Sequence, residues 1–139
     1  MTDLEIAQSN LAGHTICLCK DGNCLFSEKR GIAPMMGFIA ENVDLHGYSA
    51  ADLVVGKAVA MLFVKSGVPH VFAKLLSQAG KKVLEEHGVN YRFETLTDKI
   101  VNRDGTDICP MEKTVSDTED VDEAYLLLKN KLAVLQGKK

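Results

Sequence analysis

Asp52 interrupts the apolar run from Ala50 to Val55, and Gly56-Lys57 follows where that run must turn into a helix. A helix start points unpaired N–H groups outward and attracts anions, and in open α/β sheets ligands gather at the carboxyl ends of strands. A lysine at that point opposes the helix dipole by about 0.3–1 kcal/mol, a cost that an anionic ligand reverses. Asp52, Gly56 and Lys57 are therefore read as a ligand corner. Lys57 and the helix start would hold an anion, while Asp52 would accept from sugar hydroxyls or act as a nucleophilic carboxylate. The plainer alternatives are an Asp52–Lys57 structural ion pair and a Lys57 that reaches into water. The corner is not a P-loop, because Ala51 stands where the first glycine is required and Ala58 where the metal-binding Ser or Thr must follow.

A second centre is Cys109-Pro110-Met111-Glu112. Pro suits the first position of a helix, which makes Cys109 an N-cap. A thiol there feels the positive end of the helix, and Arg103 would add to it, favouring the nucleophilic thiolate. Against a catalytic or redox-sensing thiol stand Glu112, which opposes the thiolate, and the ordinary fate of a free Cys as a small hydrophobe. Cys17, Cys19 and Cys24 share one side of a hairpin and resemble a metal cluster, but the only nearby fourth donor is His14 at a strand edge. Core packing is the expectation, with no metal. Arg30, after the hairpin, offers a planar fork to an anion or simply faces solvent. Asn102 and Arg103 are placed as further flanking contacts. The stretch Asp104 to Asp107 lacks calcium-loop spacing and reads as a turn.

The elements that must position these residues fit one ordinary domain. The 139 residues, 46% hydrophobic and 25% charged, suffice for one core and are too few for two. A net charge of −3 with no basic run beside aromatic residues argues against nucleic acid. The first ten residues lack the basic-then-apolar plan of a signal peptide, and the longest apolar stretch, Ala58 to Val64, is far shorter than the roughly 20 residues of a membrane span. The expectation is a cytoplasmic protein without membrane contact, whose four cysteines a reducing compartment keeps as thiols.

Along the chain, Leu4, Ile6, Ala7 and Leu11 predict a short helix between Thr2 and Gly13. His14 to Lys20 and Asn23 to Ser27, joined by Asp21-Gly22, predict a β-hairpin with a type I′ turn. That register sets Cys19 opposite Cys24 and Cys17 opposite Phe26 on one face, with Ile16, Leu18 and Leu25 on the other. Both faces are apolar, so the sheet needs helices above and below it, which predicts a three-layer α/β/α sandwich. A helix from Pro34 to about Asn42 follows. Then come a strand at Ala50 to Val55, a helix from Gly56 to about Ser66, a strand at Val71 to Leu76, a helix from Gln78 to His87 and a strand at Val89 to Glu94. This rhythm attaches parallel crossovers to the antiparallel hairpin in a mixed sheet. The final helix spans about 121–136, capped by Asp120 with Glu123 reaching back, and its stripe is Val121, Tyr125, Leu128, Leu132 and Leu135.

This order of elements resembles the cytidine deaminase-like fold. The segments Ala51-Asp52-Leu53-Val54-Val55-Gly56-Lys57-Ala58 and Asn102-Arg103-Asp104-Gly105 through Cys109-Pro110-Met111-Glu112 look like a family of short, uncharacterised prokaryotic proteins with that fold. Zinc deaminases hold their metal with His or Cys at two successive helix starts and move protons with a neighbouring Glu. The corresponding starts here read Gly56-Lys57-Ala58-Val59 and Ser77-Gln78-Ala79-Gly80, which offer no imidazole, thiolate or carboxylate. The resemblance thus implies the architecture without the zinc chemistry, and a homodimer joined through helical layers. Three functional readings follow: a binder of a nucleotide-like or other phosphorylated small molecule at the Asp52/Gly56-Lys57 corner, an enzyme or redox sensor built on Cys109, and a catalytically inactive regulatory or interaction module.

Overall fold

The computed structural model describes residues 2–101 and 105–135. Helix α1 (Asp3–Ser9) opens the chain behind Thr2, whose hydroxyl accepts from the Glu5 amide while the Glu5 carboxylate accepts from the Thr2 amide. This reciprocal cap satisfies donors that a seven-residue helix otherwise leaves open. The hairpin β1 (Ile16–Lys20) and β2 (Asn23–Ser27) turns at Asp21 and Gly22, both at positive φ, as a type I′ turn demands. Its register is the expected one, Cys19 opposite Cys24 and Cys17 opposite Phe26.

Helix α2 (Ala33–Ala40) follows, then β3 (Ser49–Val55), α3 (Lys57–Lys65), β4 (His70–Ser77), α4 (Gln78–Glu86) and β5 (Asn90–Thr97). The five strands form one sheet in the order β2-β1-β3-β4-β5. Strand β1 is antiparallel to both neighbours, whereas β3, β4 and β5 run parallel. Strand β5 outruns its predicted end at Glu94, because Thr95, Leu96 and Thr97 each pair with β4.

The hairpin's alternation decides which layer each side chain enters. Ile16 and Leu18 join the larger core with α2, α3 and α4, while Cys17 and Cys19 face Leu4 and Ala7 of α1 and Leu11 just beyond it. Sheet and helices therefore form the three layers expected of a sheet apolar on both faces. One short helix covers the first face, so β5 at the sheet's edge stays largely exposed.

Helices α5 (Pro110–Thr114) and α6 (Val121–Leu135) complete the larger layer, where Val115, Ala124 and Leu128 are buried. Two expectations at this end need correction. Asp120 does cap α6, accepting from the amides of Asp122 and Glu123, but the Glu123 carboxylate takes the Thr118 hydroxyl instead of returning to the cap. Leu135 is exposed, not part of the buried stripe. The cause is length: α6 has 15 residues against nine in α3, its principal neighbour, and so runs on the order of 9 Å past it.

The cysteines also depart from expectation. Cys19 and Cys24 are joined as a disulfide, leaving Cys17 and Cys109 as free thiols. The hairpin register is the physical reason. These two residues are direct cross-strand partners with Cα atoms 4.1 Å apart, the close approach typical of a pair that exchanges no backbone hydrogen bonds. No helix among the described residues is long and apolar enough to cross a membrane.

Candidate functional site

Strand β3 ends at Val55 and the chain turns at Gly56 straight into α3, whose first amides therefore point out past the carboxyl ends of the parallel strands. Those amides are occupied by the protein itself. The Lys57 N–H donates to Glu112 Oε1 and the Ala58 N–H to Glu112 Oε2, each at 2.8 Å, so one carboxylate from α5 spans the start of α3. The negative charge lies where the helix dipole favours it most. Gly56 is what admits it: a Cβ there would meet Glu112 Oε1 at 2.4 Å. Gly80, in the first turn of α4, brings the second helix start against the same corner, since its Cβ would lie 3.0 Å from the Gly56 carbonyl.

Lys57 is an unusual first residue for a helix, and its surroundings explain it. The side chain is buried, and its ammonium donates to Glu119 Oε2 at 2.9 Å and to the Ser116 carbonyl at 3.2 Å. This hydrogen bond and the charge of Lys57 hold the Glu119 carboxyl below its usual range. Two carboxylates thus serve one helix start, one on its amides and one on its first side chain.

Beside this cluster lies a cleft of about 340 Å³, walled by Lys57, Glu112, Ser116 and Glu119 on one side. Ser77, Ala79 and Lys82 of the β4–α4 junction and Asp98, Lys99 and Ile100 past β5 line the other. Ser77 caps α4 by accepting from the Gly80 amide at 3.0 Å. Lys82 and Lys99 line the cleft and make no ion pair among the described residues, although the charge of Lys82 helps to lower the Glu119 carboxyl and that of Lys99 the Asp107 carboxyl.

The sequence-expected residues distribute unevenly around this cleft. Gly56 and Lys57 stand in its wall. Asp52 does not line it: the residue is mid-strand, opposite Ile16 of β1 and Ala73 of β4, and 6% exposed. Burial pushes its carboxyl up to about 8, against the weaker pull of the Val54 and Leu53 amides. It forms no ion pair with Lys57, whose ammonium is already committed to Glu119. With no cation paired to it among the described residues, burial favours the neutral carboxyl.

Cys109 is the N-cap of α5, as expected, and half-buried; Ile108 and Glu112 line the cleft but Cys109 does not. Its helix is only five residues long. Arg30 emerges after β2, at the same end of the sheet as Gly56 but with β1 interposed, and is exposed. Asn102 and Arg103 lie outside the described residues.

In the sequence Glu112 reads only as an opponent of Cys109, and Lys82, Lys99 and Glu119 carry no local signal of a site. The available signal was Lys57 itself, a cation at a helix start that calls for a compensating carboxylate.

Comparison with known proteins bears on this architecture. A family model described as TM1506, domain of unknown function (DUF1893), matches residues 7–132. The crystal structure of a DUF1893 family protein (TM1506) from Thermotoga maritima superimposes with a TM-score of 0.79, covering 85% of this chain and 80% of that one at 24% identity. At that identity the likeness concerns the fold. No curated protein matches the chain. With the family's model spanning nearly its whole length, the chain belongs to the DUF1893 family.

Proposed function

We propose that this protein binds a small phosphorylated, nucleotide-like molecule in the cleft at the carboxyl ends of β4 and β5. The observation that carries this reading is the placement of two lysines, Lys82 and Lys99, outside any ion pair among the described residues, in the lining of a cavity walled by two helix starts. Its position obeys the rule that open α/β sheets take ligands beyond the carboxyl ends of their strands. Lys57, Glu112 and Glu119 act as the fixed wall. Lys82 and Lys99 meet the phosphate, and the Asp98 carboxylate accepts from hydroxyls of the attached sugar. Asp52 has no part in this reading.

The antiparallel hairpin followed by parallel β3, β4 and β5 supports a cytidine deaminase-like classification. The zinc of that fold does not fit here. The two helix starts present Gly56, Lys57, Ser77 and Gln78, with no imidazole or thiolate, and the Lys57 ammonium repels a cation at the corner.

The test is thermal unfolding with AMP, ADP, ribose 5-phosphate and inorganic phosphate at constant ionic strength. At a free concentration of 100 Kd a ligand specific to the folded state stabilises it by about 2.7 kcal/mol. A mononucleotide should raise Tm in the native chain and fail to do so after Lys82→Ala and Lys99→Ala together. The reading is overturned by no shift with any probe, or by a shift that survives both substitutions.

A further inference from the structure

The sheet face opposite the cleft holds a cluster of another kind. Cys17 and Cys19 are two residues apart on β1 and so project to the same side, and Cys24 stands across from Cys19 on β2. Their three Sγ atoms all lie within 4.8 Å of one another, with Cys17 and Cys19 at 3.6 Å. Cys17 and Cys19 are fully buried, while Cys24 is partly open and forms the entrance. The shell around them is apolar, made by Leu4 and Ala7 of α1, Leu11 just beyond it, Ala51 and Phe72. In the structure two of the sulfurs are joined and the third is in contact with them.

We propose that, once the Cys19–Cys24 bond is reduced, Cys17, Cys19 and Cys24 form a three-sulfur site for the thiophilic monovalent cation Cu(I), with the disulfide acting as the gate to loading. Reduction by an external dithiol transfers two electrons and two protons to the bond, giving two thiols and oxidising the dithiol to its own disulfide. Binding then exchanges protons for metal: three thiols and one Cu(I) give a trigonal tris-thiolate complex and three protons released to solvent.

Geometry supports three-fold coordination. Metal–sulfur bonds of about 2.3 Å at trigonal angles set sulfurs about 4 Å apart; Cys17 Sγ lies 3.6 Å from Cys19 Sγ, and release of the Cys19–Cys24 bond frees the third sulfur to move out to the same spacing. Thiolate ligands select Cu(I) and Zn(II) among the common metals. Zn(II) requires a fourth donor, and the shell supplies none. His14, the nearest imidazole in the hairpin, is held by Glu28 and packs on Phe26 with ring centroids 4.5 Å apart.

The experiment uses the full chain carrying Cys109→Ser, so that only the clustered thiols remain. Protein reduced with dithiothreitol and desalted without oxygen is titrated with Cu(I) against a chromophoric Cu(I) chelator. The expected result is one Cu(I) per chain, a thiolate-to-copper absorption band in the near ultraviolet, unchanged far-ultraviolet dichroism and no binding by the oxidised protein. Cys17→Ser should weaken binding by about tenfold or more. Cys24→Ser, at the less buried position, should weaken it similarly and keeps the test decisive where Cys17→Ser does not fold. The proposal is overturned by equal binding in the oxidised protein, by affinity retained in both variants, or by one Zn(II) bound more tightly than Cu(I).

Discussion

Glu112 reaches the start of α3 from 55 residues away, and its two carboxylate oxygens sit 2.8 Å from the amides of Lys57 and Ala58, over a position that only glycine leaves open. A Cβ on Gly56 and the Glu112 carboxylate compete for one space. Gly56→Ala should therefore cost about what Glu112→Ala costs, roughly 1–3 kcal/mol for a pair of charge-assisted hydrogen bonds at a helix start. The double variant should lose clearly less than the two single losses added, because the new methyl finds room once the carboxylate is gone. Chemical denaturation of the four proteins checks this, and additive losses would contradict it.

Gly80 makes a contrasting case. The atoms its Cβ would meet belong to the Gly56 carbonyl and Val55, at 3.0 Å, and backbone cannot rotate aside as a carboxylate can. Gly80→Ala should force the starts of α3 and α4 apart and destabilise the fold by about 1–3 kcal/mol, an overpacking cost. Adding Glu112→Ala should not rescue it. Rescue would show that the two helix starts are not in the contact described.

Much of the framework was legible in the sequence because it depends on local signals. Asp21-Gly22 sets a two-residue turn, the turn sets the register, and a period of two then assigns Cys17, Cys19 and Leu18 to their faces. The same local logic found the ends of α3 and α4, and the Cys109 N-cap of α5. The site was only half legible. Lys57 announced itself by opposing the helix dipole, but its partners Glu119 and Ser116 lie about 60 positions along the chain. No spacing rule connects Lys82 to Lys99, since strand β5 intervenes and only the parallel pairing of β4 and β5 brings the ends of these elements to one cleft. Asp52 misled for a physical reason: a polar residue in a buried strand looks functional whether it meets a ligand or simply stays protonated.

The thiols should separate sharply by burial. Cys109 is half-buried, Cys17 is fully buried, and Cys19 and Cys24 are bonded to each other. Iodoacetamide applied to the native, unreduced chain at neutral pH should therefore add one label, at Cys109. Cys17 should react only at the rate at which α1 lifts from the sheet, since a buried thiol kept protonated by desolvation is a poor nucleophile. Intact-mass measurement followed by peptide mapping reads this directly. Rapid labelling at Cys17, or labelling at Cys24 without prior reduction, would contradict the arrangement.

The buried carboxyl of Asp52 ties stability to pH with a definite sign. In the folded chain burial lifts its pKa from 3.8 to about 8, so between those values the folded state holds a proton that the unfolded state releases. The stabilisation is fully present below about pH 4 and is lost as pH rises through about 8. Each unit of difference corresponds to about 1.4 kcal/mol, so the swing is on the order of a few kcal/mol. Glu119 and Asp107 do not mask it, because their carboxyls are held below the ordinary range and stay charged throughout a window from pH 5 to pH 9. Denaturant midpoints for the native chain should fall from pH 5 to about pH 8 and level off beyond it. Asp52→Asn keeps the shape and removes the titration, so its profile should be much flatter and should cross above the native one on the alkaline side. An unchanged slope in that variant would mean that Asp52 is ionised in the fold and that a cation reaches it.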